Sequence, residues 1–399
     1  MKIQKLKVDG FRSLKSIEWA PGDLNVIIGP NGSGKSNLLR SLELISAAAG
    51  GKLVDFINRE KGIESISWDG SVRSVKVEIS TGPITLSINH EFPSSYLLDY
   101  KLELIRTYDI YSHYIDETLI AYEQIKNEIS TEPLYLIMEN DIGERILFHG
   151  LDGEIKGVIS GVASETILSD FRSSIRSAHR ISDYPKELSN WRFYNYLRTD
   201  TEAPIRQAVI TRFDPSIEPD GSNLISVLHT LYSGNRDFEN NIDKAMRSAF
   251  GNDFDKLVFP PASDQKIQLR IRWKSLKREV SSLDISDGTL RFLFLITILA
   301  NPQLPSLVVI DEPETGLHPT MLPIIADFAV DASTRSQVII STHSADFLDA
   351  FHSVTPTTTV MECVNGETVL KILKKGKLKS WLKDYTLGEL YRMRQLEDM

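Results

Sequence analysis

Residues 29–36 read Gly-Pro-Asn-Gly-Ser-Gly-Lys-Ser, and no other stretch of this chain restricts its fold as strongly. They match the pattern G-x-x-x-x-G-K-[S/T] without a gap. The glycines let the backbone turn tightly, so that successive amide N–H groups converge on an anion. Such a loop belongs between the end of a strand and the start of a helix, whose positive N-terminus adds to the field. Both flanks are present. Leu24, Val26, Ile27 and Ile28 form an apolar run that reads as a buried strand, and Leu38, Leu39, Leu42, Leu44 and Ile45 follow helical spacing up to Gly50-Gly51. The candidate nucleotide-binding residues are therefore Gly29, Pro30, Asn31, Gly32, Ser33, Gly34, Lys35, Ser36 and Asn37. Lys35 supplies a cation to the β- and γ-phosphates, and the Ser36 hydroxyl is a ligand for Mg²⁺.

Three later stretches acquire meaning from that loop. Leu307-Val-Val-Ile-Asp-Glu312 is four apolar residues followed by two acids, the form of a Walker B strand. Asp311 then stands at the strand end to support the metal, and Glu312 is placed to orient or deprotonate a water. By itself this stretch is better read as a buried strand ending in a solvated acidic turn, and the glycine loop in the same chain reverses that preference. Ile285-Ser-Asp-Gly-Thr289 precedes it, and Ser341-Thr-His-Ser344 follows the apolar run Gln337–Ile340. A Ser-Asp-Gly turn alone is an ordinary helix N-cap, and a lone histidine after a strand is usually structural. Their order and spacing are what single out Ser286, Asp287, Gly288 and His343.

The rest of the chain is of mixed character. Residues 2–8 and 14–28 read as strands. From about 72 to 160, alternating segments separated by turn residues predict an antiparallel sheet of sequential hairpins. Residues 162–250 read as mainly helical, with no sustained heptad repeat. Gln265–Lys274 alternates, with Ile267, Leu269, Ile271 and Trp273 on one face and Gln268, Arg270, Arg272 and Lys274 on the other. A helix is expected from about 287 to 300, a second near 318–333, and a hairpin turning at Asn365-Gly366. This divides the chain into a lobe at 1–160 carrying the glycine loop and the antiparallel sheet, a mainly helical insertion at 161–264, and a second lobe at 265–399.

As an ordered set, glycine loop, Ser-x-Gly stretch, Walker B with an adjacent glutamate, and a histidine after the next strand resemble the ATP-binding-cassette ATPases, in their SMC/RecF-like branch. Within it the chain looks like the small AAA-type "predicted ATPases". Gly10-Phe-Arg-Ser-Leu14, Pro219–Leu224, Ser286–Phe292, Asp311–Pro319 and Leu382–Leu390 carry that closer match. The resemblance implies an α/β ATPase head with a P-loop core, an N-terminal antiparallel β-subdomain and a helical signature lobe. It implies ATP and Mg²⁺ as cofactors, with Ser36 and Asp311 on the metal side. Glu312 becomes the general base, and His343 a switch histidine for the γ-phosphate. Ser286, Asp287 and Gly288 become a signature that completes the site of a second copy, so the resemblance implies a homodimer closed over ATP. Glu314–Leu317 takes the D-loop position, and Arg12 is a candidate neighbour of the nucleotide. Asp287 stands where transporter cassettes carry glycine. No glutamine is placed as a Q-loop, and no acidic cluster after Walker B suggests a Toprim nuclease domain.

Net charge is −9, with 41% hydrophobic and 25% charged residues, ordinary globular values without a basic footprint. Duplex DNA is therefore a candidate partner only through local clusters. One is Arg270, Arg272, Lys274, Lys277 and Arg278; the other is Lys371, Lys374, Lys375, Lys377, Lys379 and Lys383. A solvated surface is the favoured reading of both, because the overall balance is acidic. One cysteine, Cys363, fits a reducing compartment, and no apolar run approaches a membrane span. The expectation is a cytoplasmic, membrane-free ATPase in DNA maintenance or anti-phage defence, working with an effector protein such as a nuclease or toxin. The other reading is a nucleotide-gated scaffold or sensor that restrains such an effector with little turnover.

Overall fold

A computed structural model describes residues 1–70, 72–86, 94–106, 113–125, 128–139, 144–149, 154–160, 166–170, 183–262, 265–352 and 354–398. The chain divides into two compact units that interleave in sequence. The first comprises Met1–Gly22, Ile28–Trp191 and Thr359–Ile372; the second comprises Asp23–Ile27, Arg192–Thr358 and Leu373–Met399.

In the first unit the alternating segments form one antiparallel sheet. Its strand order is Leu14–Trp19, Lys2–Phe11, Ser74–Leu86, Ser94–Arg106, His113–Ile125, Glu128–Glu139, Glu144–His149 and Glu154–Ser160. Period-two alternation sets the register, because a slip of one residue would expose every apolar side chain. Val75, Val77, Ile79, Tyr100, Leu102 and Leu104 are buried on one face. On strands paired at Lys76↔Glu103 and Glu78↔Lys101, the opposite face carries the ion pairs Lys76–Glu78 at 2.6 Å and Lys101–Glu103 at 3.0 Å. The helix Lys35–Ala49 also belongs here, with Leu38, Leu42, Leu44 and Ile45 fully buried. So does the hairpin Thr357–Val364 and Glu367–Ile372, from Thr359 onward, which turns at Asn365-Gly366. The indole of Trp19, fully buried, donates to Thr359 Oγ1 at 3.0 Å.

The second unit is built on a parallel sheet in the order Arg192–Tyr194, Leu307–Asp311, Gln337–Thr342, Leu24–Ile28. Its central strands are apolar along their length because both faces are covered. The helix Asp287–Leu299 is apolar nearly all round and lies in the core, where Phe292, Leu293 and Ile296 are fully buried. Phe294 packs edge-on against Tyr194, ring centroids 5.6 Å apart.

One strand is added within a stretch read as mainly helical, and one local reading is corrected. The strand Arg192–Tyr194 falls inside the stretch expected to be mainly helical; it lies parallel to Leu307–Asp311, pairing Tyr194 with Ile310. At three residues it is too short to show a period, and tertiary pairing creates it. The alternating run Gln265–Lys274 is two strands, Lys266–Ile267 and Arg270–Trp273, in different sheets. Between them the backbone bonds to non-strand partners, Gln268 N–H to Pro260 O and Ser282 N–H to Leu269 O. No helix among the described residues is long and apolar enough to cross a membrane.

Candidate functional site

The phosphate cradle is closed by residues of the first unit. Gly34 caps the helix Lys35–Ala49 at φ +98°, and no side chain caps the helix start. A Cβ on Gly34 would run into the Thr368 side chain and lie 2.9 Å from Ser13 Oγ, so both conformation and space demand glycine. Ser13 and Thr368 brace the loop. Their hydroxyls are 2.7 Å apart, Thr368 Oγ1 donates to Ser33 O at 3.1 Å, and Asn37 Nδ2 donates to Ser13 Oγ at 2.8 Å. Sequence reasoning singled out neither; the signal for Ser13 was its place in Gly10–Leu14.

Lys35 is 6% exposed and folds back over the loop. Its ammonium donates to Gly29 O at 2.7 Å and to Pro30 O at 3.2 Å. Ser33 Oγ is buried without a hydrogen-bond partner. An orphaned hydroxyl, an uncapped helix start and a buried cation together fit a phosphate chain. Ser36 is exposed at the first turn of the helix. Arg12, in the left-handed region at φ +50°, is committed to Glu60, which Arg40 also contacts at 2.6 Å. Its Nη1 lies 3.5 Å from Asn37 Oδ1. Burial lowers the Arg12 guanidinium from its ordinary value, against the Glu60 carboxylate, which raises it.

The acidic residues form a network within the second unit. Asp311 pairs in register with Ser341 across adjacent parallel strands, and Ser341 Oγ donates to Asp311 Oδ1. Glu312 continues the ladder through its N–H to Ser341 O at 3.0 Å, then turns out at φ +48°. That conformation costs a non-glycine residue about 1–3 kcal/mol, and it persists here because Ser341 and the turn Thr315 N–H to Glu312 O hold it. His343 Nδ1 lies 3.0 Å from Glu312 Oε1 and 3.6 Å from Glu314 Oε1. Glu314 was placed only as part of a turn. Its side chain is 8% exposed and accepts from Thr342 Oγ1 at 2.6 Å and His343 N–H at 3.2 Å, while its Oε2 is buried and unpartnered.

Ser286 caps the helix Asp287–Leu299, accepting from Thr289 N–H at 3.2 Å. A Cβ on Gly288 would come within 2.9 Å of Gly316 O, so this glycine permits close approach of the Glu314–Leu317 turn. The chain leaves the edge strand at Asn195, one residue beyond the Tyr194–Ile310 pair and level with Asp311. A 150 Å³ cavity there is lined by Asn195, Tyr196, Arg291, Asp311 and Glu312, among others. The strand face expected to be basic is largely neutralised: Arg272 pairs with Glu279 at 2.7 Å, Arg270 with the same carboxylate at 3.9 Å, and Arg278 with Asp284 at 3.7 Å.

No cluster of three or more His, Cys, Asp or Glu among the described residues is placed to hold a metal. Mg²⁺ needs none, since it keeps waters and takes one or two carboxylates with substrate phosphates.

Strand, glycine loop and helix, with an acid pair and a histidine at the ends of adjacent parallel strands, define a P-loop nucleotide-binding domain of the ABC-like ATPase class. Residues 24–349 match the family described as "AAA domain, putative AbiEii toxin, Type IV TA system", and the chain belongs to it. It is 23% identical to the Old nuclease of Escherichia phage P2 over 88% of this chain and 58% of that one. It is 40% identical to the RecF DNA replication and repair protein of Geobacter sp. (strain M21), over 19% of this chain and 20% of that one. The chain thus spans less than two thirds of the length of either relative. An ATP/GTP phosphatase of Helicobacter pylori is 21% identical over 88% of both chains. In fold it is similar to an Smc head solved with the C-winged helix domain of ScpA, with a TM-score of 0.56 at 14% identity over 95% of this chain and 100% of that one.

Proposed function

We propose that this protein is a Mg²⁺-dependent ATPase whose two copies close over two nucleotides. The observation that carries this reading is the Glu312–His343 pair at the mouth of the strands Leu307–Asp311 and Gln337–Thr342. A carboxylate turned out of its strand and held 3.0 Å from an imidazole is the geometry of a base with an orienting partner. In this reading Lys35 and the loop amides hold the phosphates, and Arg12, beside Asn37, adds positive charge at the first helical turn. Ser36 and Asp311 would hold Mg²⁺, which would supply positive charge beside the phosphates. Glu312 takes the proton of the attacking water, and His343 holds Glu312 in place. Asn195, level with Asp311, is the candidate for the orienting amide that the sequence left unplaced. Ser286, Asp287 and Gly288 complete the site of the second copy.

The family description and the likeness to the Old nuclease and RecF support a place in anti-phage defence or DNA maintenance, with a nuclease or toxin as the effector. Duplex DNA is a candidate partner in this reading, with the arginines of 270–278 already engaged by Glu279 and Asp284.

The test is phosphate release by the purified protein with ATP and Mg²⁺, alongside its Glu312→Gln variant. Turnover abolished by the substitution, with ATP binding retained, supports the reading; no turnover in the parent overturns it. A second reading rests on the His343 bond itself. A base already engaged turns over slowly, and the protein then acts as a nucleotide-gated scaffold. A partner captured only in the ATP-bound state, at unchanged capture by Glu312→Gln, selects it.

A further inference from the structure

No motif points to Arg206, yet its side chain bonds to two stretches of chain, at Thr199 and at 282–287. It lies in the short turn Pro204–Arg206 and is 7% exposed. Its Nε donates to Thr199 O at 2.7 Å, and Nη1 donates to Ser282 O and Ile285 O, each at 2.7 Å. Its Nη2 donates to Asp287 Oδ1 at 2.5 Å. Ser282 Oγ returns a bond to the Arg206 carbonyl at 2.6 Å. A guanidinium offers five donors in a rigid fork and stays charged, so it fixes the relative positions of everything it touches.

A staple serving the fold alone would need only the buried carbonyls. Arg206 also reaches out to Asp287, whose side chain is 63% exposed. That acid is where the signature departs from the glycine of transporter cassettes. At its other end, Arg206 holds Thr199, four residues beyond Asn195, in the segment that leaves the strand beside Asp311. The geometry points to Arg206 as a positioning residue. It fixes how Ser286–Gly288 is presented to a nucleotide on a second copy of the chain, and it ties that presentation to the segment 195–199. Asp287 is then the handle by which the loop is held. This inference rests on the ATP-closed dimer proposed above.

The experiment uses the full chain carrying Glu312→Gln, to trap the ATP-bound state. Into it go Arg206→Ala, Arg206→Lys, Asp287→Ala and the Arg206/Asp287 double alanine. Dimerisation with ATP is followed by sedimentation, and nucleotide binding by the monomer with a fluorescent ATP analogue. Arg206→Ala and Asp287→Ala should each weaken dimerisation about tenfold or more, and the double variant no further, as coupled neighbours do. Nucleotide binding should stay within about twofold, since the phosphate cradle is untouched. Arg206→Lys should recover little, because a point charge cannot replace the fork. If Arg206→Ala does not fold, Arg206→Lys carries the test: it should bind nucleotide as the parent does and still lose dimerisation. Unchanged dimerisation in Asp287→Ala, or losses that add in the double variant, overturns the assignment of Arg206. A Glu312→Gln parent that stays monomeric with ATP overturns the dimer reading and this inference with it.

Discussion

The phosphate cradle of the first unit and the acidic network of the second are held by different kinds of force. In the cradle the backbone does the positioning. Gly34 takes a left-handed conformation, Lys35 rests on the carbonyls of its own loop, and the braces Ser13 and Thr368 reach the loop from two hairpins. In the network, side chains position one another. Ser341 holds Asp311, His343 meets Glu312, Glu314 holds the Thr342–His343 segment, and Arg206 holds the signature loop. A cradle made of backbone is insensitive to most substitutions but intolerant of a Cβ. A network made of side chains keeps its fold under substitution and loses its chemistry.

Four substitutions break or sharpen that contrast, given from the largest expected effect to the smallest. Glu312→Gln keeps the shape of the network and removes the proposed base. Turnover should fall about 10²–10⁴-fold in a phosphate-release assay, as removal of a general base does. Near-normal turnover would mean that another group takes the proton. Lys35→Ala removes a charge-assisted contact to phosphate worth about 1.5–3 kcal/mol. ATP affinity by calorimetry should drop by about 10- to 100-fold, and unchanged affinity would remove Lys35 from the proposed site.

Gly34→Ala acts the opposite way. It forces a left-handed alanine against Thr368 and Ser13, at about 1–3 kcal/mol of strain. A thermal melt should show the loss directly, and nucleotide binding should weaken with it. An unchanged melt would show that the brace gives way freely. Ser341→Ala is the mildest. It removes the hydroxyl bond to Asp311, worth about 1 kcal/mol, and a 3.3 Å acceptor for the Glu312 N–H, so it loosens one of the contacts on Asp311. The expected result is a raised Mg²⁺ requirement for turnover with little change in folding.

Much of this was legible in the chain itself, for identifiable reasons. The glycine loop, its strand and its helix are local, so their geometry follows from residues within a few positions of one another. Leu307–Glu312 is a run whose meaning comes from its pattern, and the hairpins of the first unit declare themselves by period-two alternation. Other features are not local. Arg192–Tyr194 is a strand only because Leu307–Asp311 lies beside it. Arg206 bonds to Asp287 across 81 residues, and Thr368 reaches the loop at Ser33 across 335. Arg270 and Arg272 look like a cationic stripe until Glu279 is brought against them.

The sequence by itself determined which residues are candidates to touch a nucleotide, because phosphate and metal chemistry demands particular residue types at fixed short spacings. Only the tertiary structure decided what holds those residues still. A hydrogen bond depends on where two groups meet in space, and Ser13, Arg206, Glu314 and Thr368 meet their partners only once the sheets are assembled.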